Sequence, residues 1–199
     1  MSFLVSGLVL AAGSSQRFGS PKALAKFGSK TALERSVSVA VQAGCNPVTT
    51  VLGKDAKVVQ EQHAELDCKF VVNLDYSLPQ LISIQTGIRS IPKDREGVAL
   101  FLVDHPLIQV DTVKFLMKKF FECRNKIVRP VYKERGGHPT IFPCSIFKEI
   151  LELPQDQSMR KLFLTNERVV NVSVLDEMVI QDFDTKEEYI ELVRKGKFS

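Results

Sequence analysis

The sequence predicts an α/β fold, a mostly parallel sheet with helices on both faces, and three observations carry that prediction. Short apolar runs alternate with segments of helical spacing over the first two-thirds of the 199 residues, which is the pattern of βαβ units. The first run, Leu4–Leu10, carries no charge, as expected of a strand covered on both faces. The runs also stop at polar or glycine positions, Ala11-Ala12-Gly13, Asn73 and Asp104, and such sheets bind ligands beyond the carboxyl ends of their strands.

The elements follow in order. After Leu4–Leu10, a loop runs through Gly13, Arg17, Gly19 and Lys22. A helix is expected over Thr31–Ala43, with apolar residues at Ala32, Leu33, Val37, Ala40 and Val41, a Thr31/Glu34 capping box and a stop at Gly44. Val48–Leu52 is a strand ended by Gly53, Ala56–His63 a short helix, and Lys69–Val72 a third strand. A loop over Asn73–Gln80 leads to a helix over Leu81–Ile91. Gly97–Val103 is the most apolar strand and breaks at Asp104-His105-Pro106. Then come a helix (Asp111–Phe121), a strand (Ile127–Tyr132), a polar turn (Arg135–His138) and its return (Pro139–Phe142). Short helices over Ser145–Glu152 and Ser158–Leu164, strands at Val169–Val174 and Val179–Ile180, and a helix over Thr185–Lys195 N-capped by Asp184 complete the chain. No linker or repeat interrupts this order, so one domain over residues 1–199 is expected.

Composition narrows the function. An apolar fraction of 44% and a charged fraction of 25% are those of a soluble globular protein. A net charge of +4 suits an anionic small molecule. Nucleic acid as a partner would call for a basic stripe, and Lys118-Lys119 and Lys195/Lys197 are short pairs on solvated helix faces. The four cysteines, Cys45, Cys68, Cys123 and Cys144, and the three histidines, His63, His105 and His138, show no zinc-ligand spacing. Reduced, mostly buried thiols and a cytoplasmic location are expected. Phe3–Ala12 lacks the basic flank of a signal peptide, and no run has the length of a membrane span.

The loop Leu8–Lys22 is built for close backbone approach. Small residues expose N–H groups that can form an anion-binding concavity, and Arg17 and Lys22 add two cations. On composition alone it is equally a plain strand-to-helix connection. It is neither GxxxxGK[ST] nor GxGxxG. Asp104, at the end of a buried strand, is either a Mg²⁺ ligand or a loop carboxylate in a salt bridge or cap. Asp182 and Asp184 offer a second carboxylate. Arg135-Gly136-Gly137-His138-Pro139 is a tight turn, or a hairpin whose backbone must approach something closely. No nucleophile–base arrangement stands out.

Together these motifs resemble the MobA-like nucleotidyltransferase family, most of all its molybdenum-cofactor cytidylyltransferase branch. The opening LAAGxSxRxGxxK is met by Leu10, Ala11, Ala12, Gly13, Ser15, Arg17, Gly19 and Lys22. LxDxP is met by Leu102, Asp104 and Pro106, GHP by Gly137-His138-Pro139, and DxDTxED by Asp182, Asp184, Thr185 and Glu187, with Glu188 in place of Asp. The resemblance implies a Rossmann-like three-layer sandwich of the nucleotide-diphospho-sugar transferase type, and transfer of a nucleoside monophosphate with release of pyrophosphate.

Carried over by position, it implies nucleotide binding by Leu10, Ala11, Ala12, Gly13, Ser14, Ser15, Arg17, Lys22, Asn73 and Ser83. Arg17, Lys22 and Asp104 would be catalytic: Arg17 at the leaving phosphates, Lys22 at the α-phosphate, Asp104 on Mg²⁺. Asp184 would be the second metal carboxylate, ahead of Asp182, and His138 and Gly137 would lie on the acceptor side. The branch usually has a Gly-Met pair where this chain has Pro79 and Gln80. Ala12, where GTP-using branches carry Gly, favours the smaller base of CTP. The implied acceptor is molybdopterin, with a molybdoenzyme as a possible partner. A sugar- or polyol-phosphate acceptor and a non-catalytic nucleotide- or cofactor-delivery role are the alternatives.

Overall fold

The computed structural model describes residues 4–123, 125–163 and 166–196. In chain order the elements are β1 (Val5–Ala11), a hairpin of β2 (Lys26–Phe27) and β3 (Lys30–Thr31), α1 (Ala32–Gln42), β4 (Val48–Leu52), α2 (Ala56–Gln62), β5 (Lys69–Val72), α3 (Gln80–Arg89) and β6 (Gly97–Leu102). They continue with α4 (Val110–Glu122), β7 (Ile127–Tyr132), β8 (Arg135–Gly136), β9 (Thr140–Pro143), α5 (Phe147–Glu152), β10 (Val169–Ser173) and α6 (Lys186–Lys195).

The main sheet runs β10-β7-β9-β6-β1-β4-β5, with β8 paired to β7. β1 lies near its centre, parallel to β4 and β6. β9 is antiparallel to both β6 and β7, so the sheet is mixed: the chain doubles back after β7 and returns between two strands that share one direction. The carboxyl ends of β1, β4, β5, β6, β7 and β10 therefore all open on one edge of the sheet.

Side-chain parity explains the two cores. Val5 and Val9 of β1, with Ala99 and Phe101 of β6, face a cluster built with α1, α4 and α6. Leu8 and Leu10, with Val98 and Leu100, face the other cluster, built with α3 and α5. Both faces are covered, which is why the strands read as continuous apolar runs. Gly87 lets α3 lie directly on β1, since a Cβ there would come within 2.4 Å of the Leu8 side chain.

Most expected elements stand within a residue or two of the observed ones, and the capping box on α1 is present, Thr31 Oγ1 accepting from the Glu34 N–H. Four expectations are corrected. Val179–Ile180 is not a strand but the end of a 3-10 turn over Glu177–Ile180, started by Asp176, whose side chain accepts from the Met178 N–H. Asp184 does not cap the last helix; Thr185 does, in a second capping box with Glu188. The β2–β3 hairpin fills the stretch between the expected loop and the expected helix, where the sequence predicts no element, and ends on Thr31. All four cysteines are free, but only Cys45 is buried, and Cys144 is exposed. Among the described residues no helix is long and apolar enough to cross a membrane. Phe3, Leu164 and Lys197, parts of expected segments, lie outside the described residues.

Candidate functional site

A cavity of about 870 Å³ opens at the carboxyl ends of β1, β4, β5 and β6. Its floor is the loop after β1. Ser15 adopts a left-handed φ of 49°, unusual for a residue with a side chain. Two bonds hold it there: its carbonyl accepts from the Gly19 N–H at 2.9 Å, and its Oγ accepts from the Lys22 N–H at 3.2 Å. A Cβ on Gly13 would meet nothing within 4 Å, so packing does not demand glycine there; a bare backbone is what the position provides.

Three charged side chains converge on this floor. The Val103 N–H donates to the Leu10 carbonyl at 3.1 Å, extending the β1–β6 pairing past the strand end and setting Asp104 beside the loop. Phe183 anchors the segment that brings in Asp184. Its ring is fully buried, edge-on to Phe18 at 5.2 Å and tilted against Phe27 at 5.4 Å and Tyr189 at 5.8 Å. Lys22 Nζ then donates to Asp104 Oδ2 at 3.0 Å and Asp184 Oδ1 at 2.6 Å, and Arg17 Nη2 to Asp184 Oδ2 at 2.6 Å.

Burial alone would depress the Lys22 ammonium, but the two carboxylates outweigh it and its pKa lies above the ordinary lysine value. The Lys22 hydrogen bond, with Arg17, overcomes burial and holds the Asp184 carboxyl below its usual range. Asp104 Oδ1 is buried without a hydrogen-bond partner. An orphaned carboxylate oxygen beside a second carboxylate fits a divalent cation. Among the described residues no group of three or more His, Cys, Asp and Glu could hold a metal; Mg²⁺ needs only one or two carboxylates when phosphate oxygens and water complete its shell.

The structure brings together Leu10, Ala11, Ala12, Gly13, Ser14, Ser15, Arg17, Lys22, Ser83, Asp104 and Asp184 on the cavity wall. Asn73 stands behind it: its amide donates to Ser83 Oγ at 2.9 Å and its Oδ1 accepts from the Asp75 N–H, so it braces the wall rather than lining it. Asp182 is exposed and not part of the lining. Gly137 and His138 also lie outside the lining. A Cβ on Gly137 would fall 2.2 Å from the Val179 carbonyl oxygen, and the His138 N–H donates to that same oxygen at 2.9 Å. The turn thus clamps the segment that leads into Asp184. The His138 ring packs 5.4 Å from that of His105. Burial, then the neighbouring imidazole, pushes its pKa down to about 4, and burial lowers that of His105 as well.

Sequence reasoning passed over Lys54 and Asp55, which line the cavity at the end of β4; the strand-end rule, applied at Gly53, would have found them. Tyr76 and Leu78 of the β5–α3 loop and Gln80 of α3 complete the wall.

Comparison with known proteins agrees with this geometry. The model of the MobA-like NTP transferase domain matches residues 7–169. The chain is 27% identical to nicotine blue oxidoreductase of Paenarthrobacter nicotinovorans, covering 95% of this chain and 96% of that protein. It is 24% identical to the molybdenum cofactor cytidylyltransferase of Escherichia coli K12, with 92% of each covered. Among solved structures, Rv0371c of Mycobacterium tuberculosis H37Rv superposes with a TM-score of 0.82 at 27% identity, covering 96% of this chain and 98% of that one. The manganese complex of the same protein gives 0.80 at 28%, with the same coverage.

Proposed function

The chain belongs to the MobA-like NTP transferase family, and from that premise we propose that it transfers CMP from CTP to the phosphate of molybdopterin, releasing pyrophosphate. One observation carries the reading: Lys22 Nζ stands between Asp104 and Asp184 on the floor of a glycine- and serine-lined cavity. Two cations, two carboxylates and a loop of exposed N–H groups are what charge cancellation between two phosphate anions requires.

In this reading Asp104 and Asp184 would hold Mg²⁺, which supplies further charge cancellation on the triphosphate; the manganese complex of Rv0371c supports a divalent cation in this fold. The N–H groups of Gly13, Ser14 and Ser15 take the triphosphate, Arg17 faces the leaving β,γ-phosphates, and Lys22 faces the α-phosphate. An oxygen of the acceptor phosphate bonds to the α-phosphorus as the bond to the β-phosphate oxygen breaks, and pyrophosphate leaves. A phosphate monoester is already ionised near neutral pH, its second pKa being about 6, so no general base is called for. Gly137 and His138 stand on the acceptor side by family position, and their contacts with the Val179 carbonyl also steady the segment that leads into Asp184.

Cytidine as the base rests on Ala12, which is 5% exposed and whose carbonyl lies against Gly53, leaving little space on that wall. Similarity to the Escherichia coli cytidylyltransferase supports both base and acceptor. A molybdoenzyme is then the natural recipient of the product. Pro79 and Gln80, at the start of α3 beside the cavity, keep a sugar- or polyol-phosphate as the alternative acceptor. A second reading, redox chemistry in the same cavity, comes from the name of the Paenarthrobacter relative, since fold does not fix reaction class.

The test is pyrophosphate release with each of the four NTPs, with and without molybdopterin, alongside consumption of NADH and NADPH. Release from CTP only when molybdopterin is present is the expected result. Release with another acceptor alone would change the acceptor, and consumption of reduced dinucleotide without pyrophosphate would favour the redox reading.

A further inference from the structure

Three of the four carboxylate oxygens of Asp104 and Asp184 are already engaged by the chain's own cations. Lys22 takes one from each residue and Arg17 takes the second of Asp184. Only Asp104 Oδ1 is left, buried and unpartnered. The two cations differ in their freedom. The Arg17 side chain is 71% exposed and can swing into water, whereas that of Lys22 is 11% exposed, with its ammonium 5.4 Å above the Phe183 ring.

A divalent cation arriving by itself meets one free oxygen, Asp104 Oδ1, and gains others only by competing with Arg17 and Lys22. Its charge then either stands beside the Lys22 ammonium or deprives that ammonium of its partners with little water to replace them, and both are disfavoured. A triphosphate changes this balance: it offers the ammonium and the guanidinium new anionic partners on the loop side, and the carboxylates come free together.

We propose that Lys22 is an internal counter-ion that closes the carboxylate pair to a lone divalent cation, so that metal and nucleotide bind as a cooperative pair. The inference rests on the assignment of Asp104 and Asp184 to the metal. Because linkage is reciprocal, the factor by which nucleotide tightens metal binding equals the factor by which metal tightens nucleotide binding. Lys22 thus has two roles in sequence, holding the empty site closed and then meeting the α-phosphate.

The test is binding of Mn²⁺ alone to the whole chain, without nucleotide, read by water-proton relaxation. It compares the wild type, Lys22→Met, Lys22→Gln and the double variant Lys22→Met/Asp104→Asn, each shown to be folded by its near-ultraviolet circular dichroism. Lys22→Met and Lys22→Gln should bind Mn²⁺ about tenfold more tightly than the wild type, within the usual range of coupling between sites, and the double variant should lose that gain. CTP affinity of the wild type should rise by a similar factor in saturating Mn²⁺, and this coupling should shrink in Lys22→Met. Equal Mn²⁺ affinity in the wild type and both Lys22 variants, with the double variant still weaker than Lys22→Met, overturns the counter-ion role and leaves the metal assignment standing. No Mn²⁺ binding by any of the proteins, with CTP or without it, overturns both.

Discussion

Asp104 and Asp184 hold a single ammonium between them, Lys22 Nζ, at 3.0 and 2.6 Å. Two carboxylates this close would repel if left alone. The shared cation, with Arg17 on the outer oxygen of Asp184, makes a charge-balanced cluster of two acids and two bases. It holds both acids in place for a ligand that brings charge of its own.

Asp104→Ala removes both the Lys22 contact and the orphaned oxygen. Divalent-dependent pyrophosphate release should fall on the order of 10²–10³-fold, the usual cost of losing one charge-stabilising group. The check is steady-state turnover across a Mg²⁺ titration; unchanged turnover would remove Asp104 from the site.

Ala12→Gly deletes a methyl group from the cavity wall near β1. The ratio of kcat/KM for CTP over GTP should drop by about 10-fold or more, since one methyl-sized change in a pocket contributes about 1–3 kcal/mol to discrimination. Competition between the two nucleotides measures it, and an unaltered ratio would place base selection elsewhere.

Acid should destabilise the fold through His138. Its folded pKa, about 4, lies below the unfolded value of 6.5. Between these values the unfolded chain binds a proton that the folded chain refuses, so stability is complete above pH 6.5 and is lost as pH falls toward 4. The loss should be on the order of 2–3 kcal/mol, read as a shift in the urea midpoint between pH 7 and 4.5. His138→Asn should flatten that slope, and an equal slope in the variant would assign it to other groups.

Phe183→Leu keeps an apolar side chain but loses the ring contacts to Phe18, Phe27 and Tyr189. A stability loss of about 2 kcal/mol is expected from the pair energies, which lowers Tm by about 4–8 °C at this chain length. Because Asp184 follows directly, affinity for Mn²⁺ with CTP should weaken as well. A lower Tm with unchanged metal affinity would limit the ring cluster to a scaffolding role.

The sequence made β1, β4, β5, β6 and β7 legible because each is a short apolar run with a polar stop, and it placed Asp104 and the loop after β1 by the strand-end rule. What it could not carry was pairing across the chain. Asp184 reads as a helix cap because the next residue, Thr185, is an equally good one; only the fold shows that Thr185 takes the cap and leaves Asp184 to the cations. Gly137 and His138 stand on the acceptor side by the resemblance alone, their own residues leaving a tight turn or a close backbone approach open. The approach is real, but it is to the Val179 carbonyl. The aromatic cluster under Lys22 has no periodic signature, since its four rings come from the loop after β1, β2, the segment before α6 and α6 itself.

Arg17 and Asp184 are separated by 167 positions. The strands of the main sheet and Asp104 all precede Asp184 in the chain, so a chain cut after β10 keeps the Lys22–Asp104 pair and lacks the acid that Lys22 and Arg17 share. The sheet is thus encoded ahead of the charge balance of its own site.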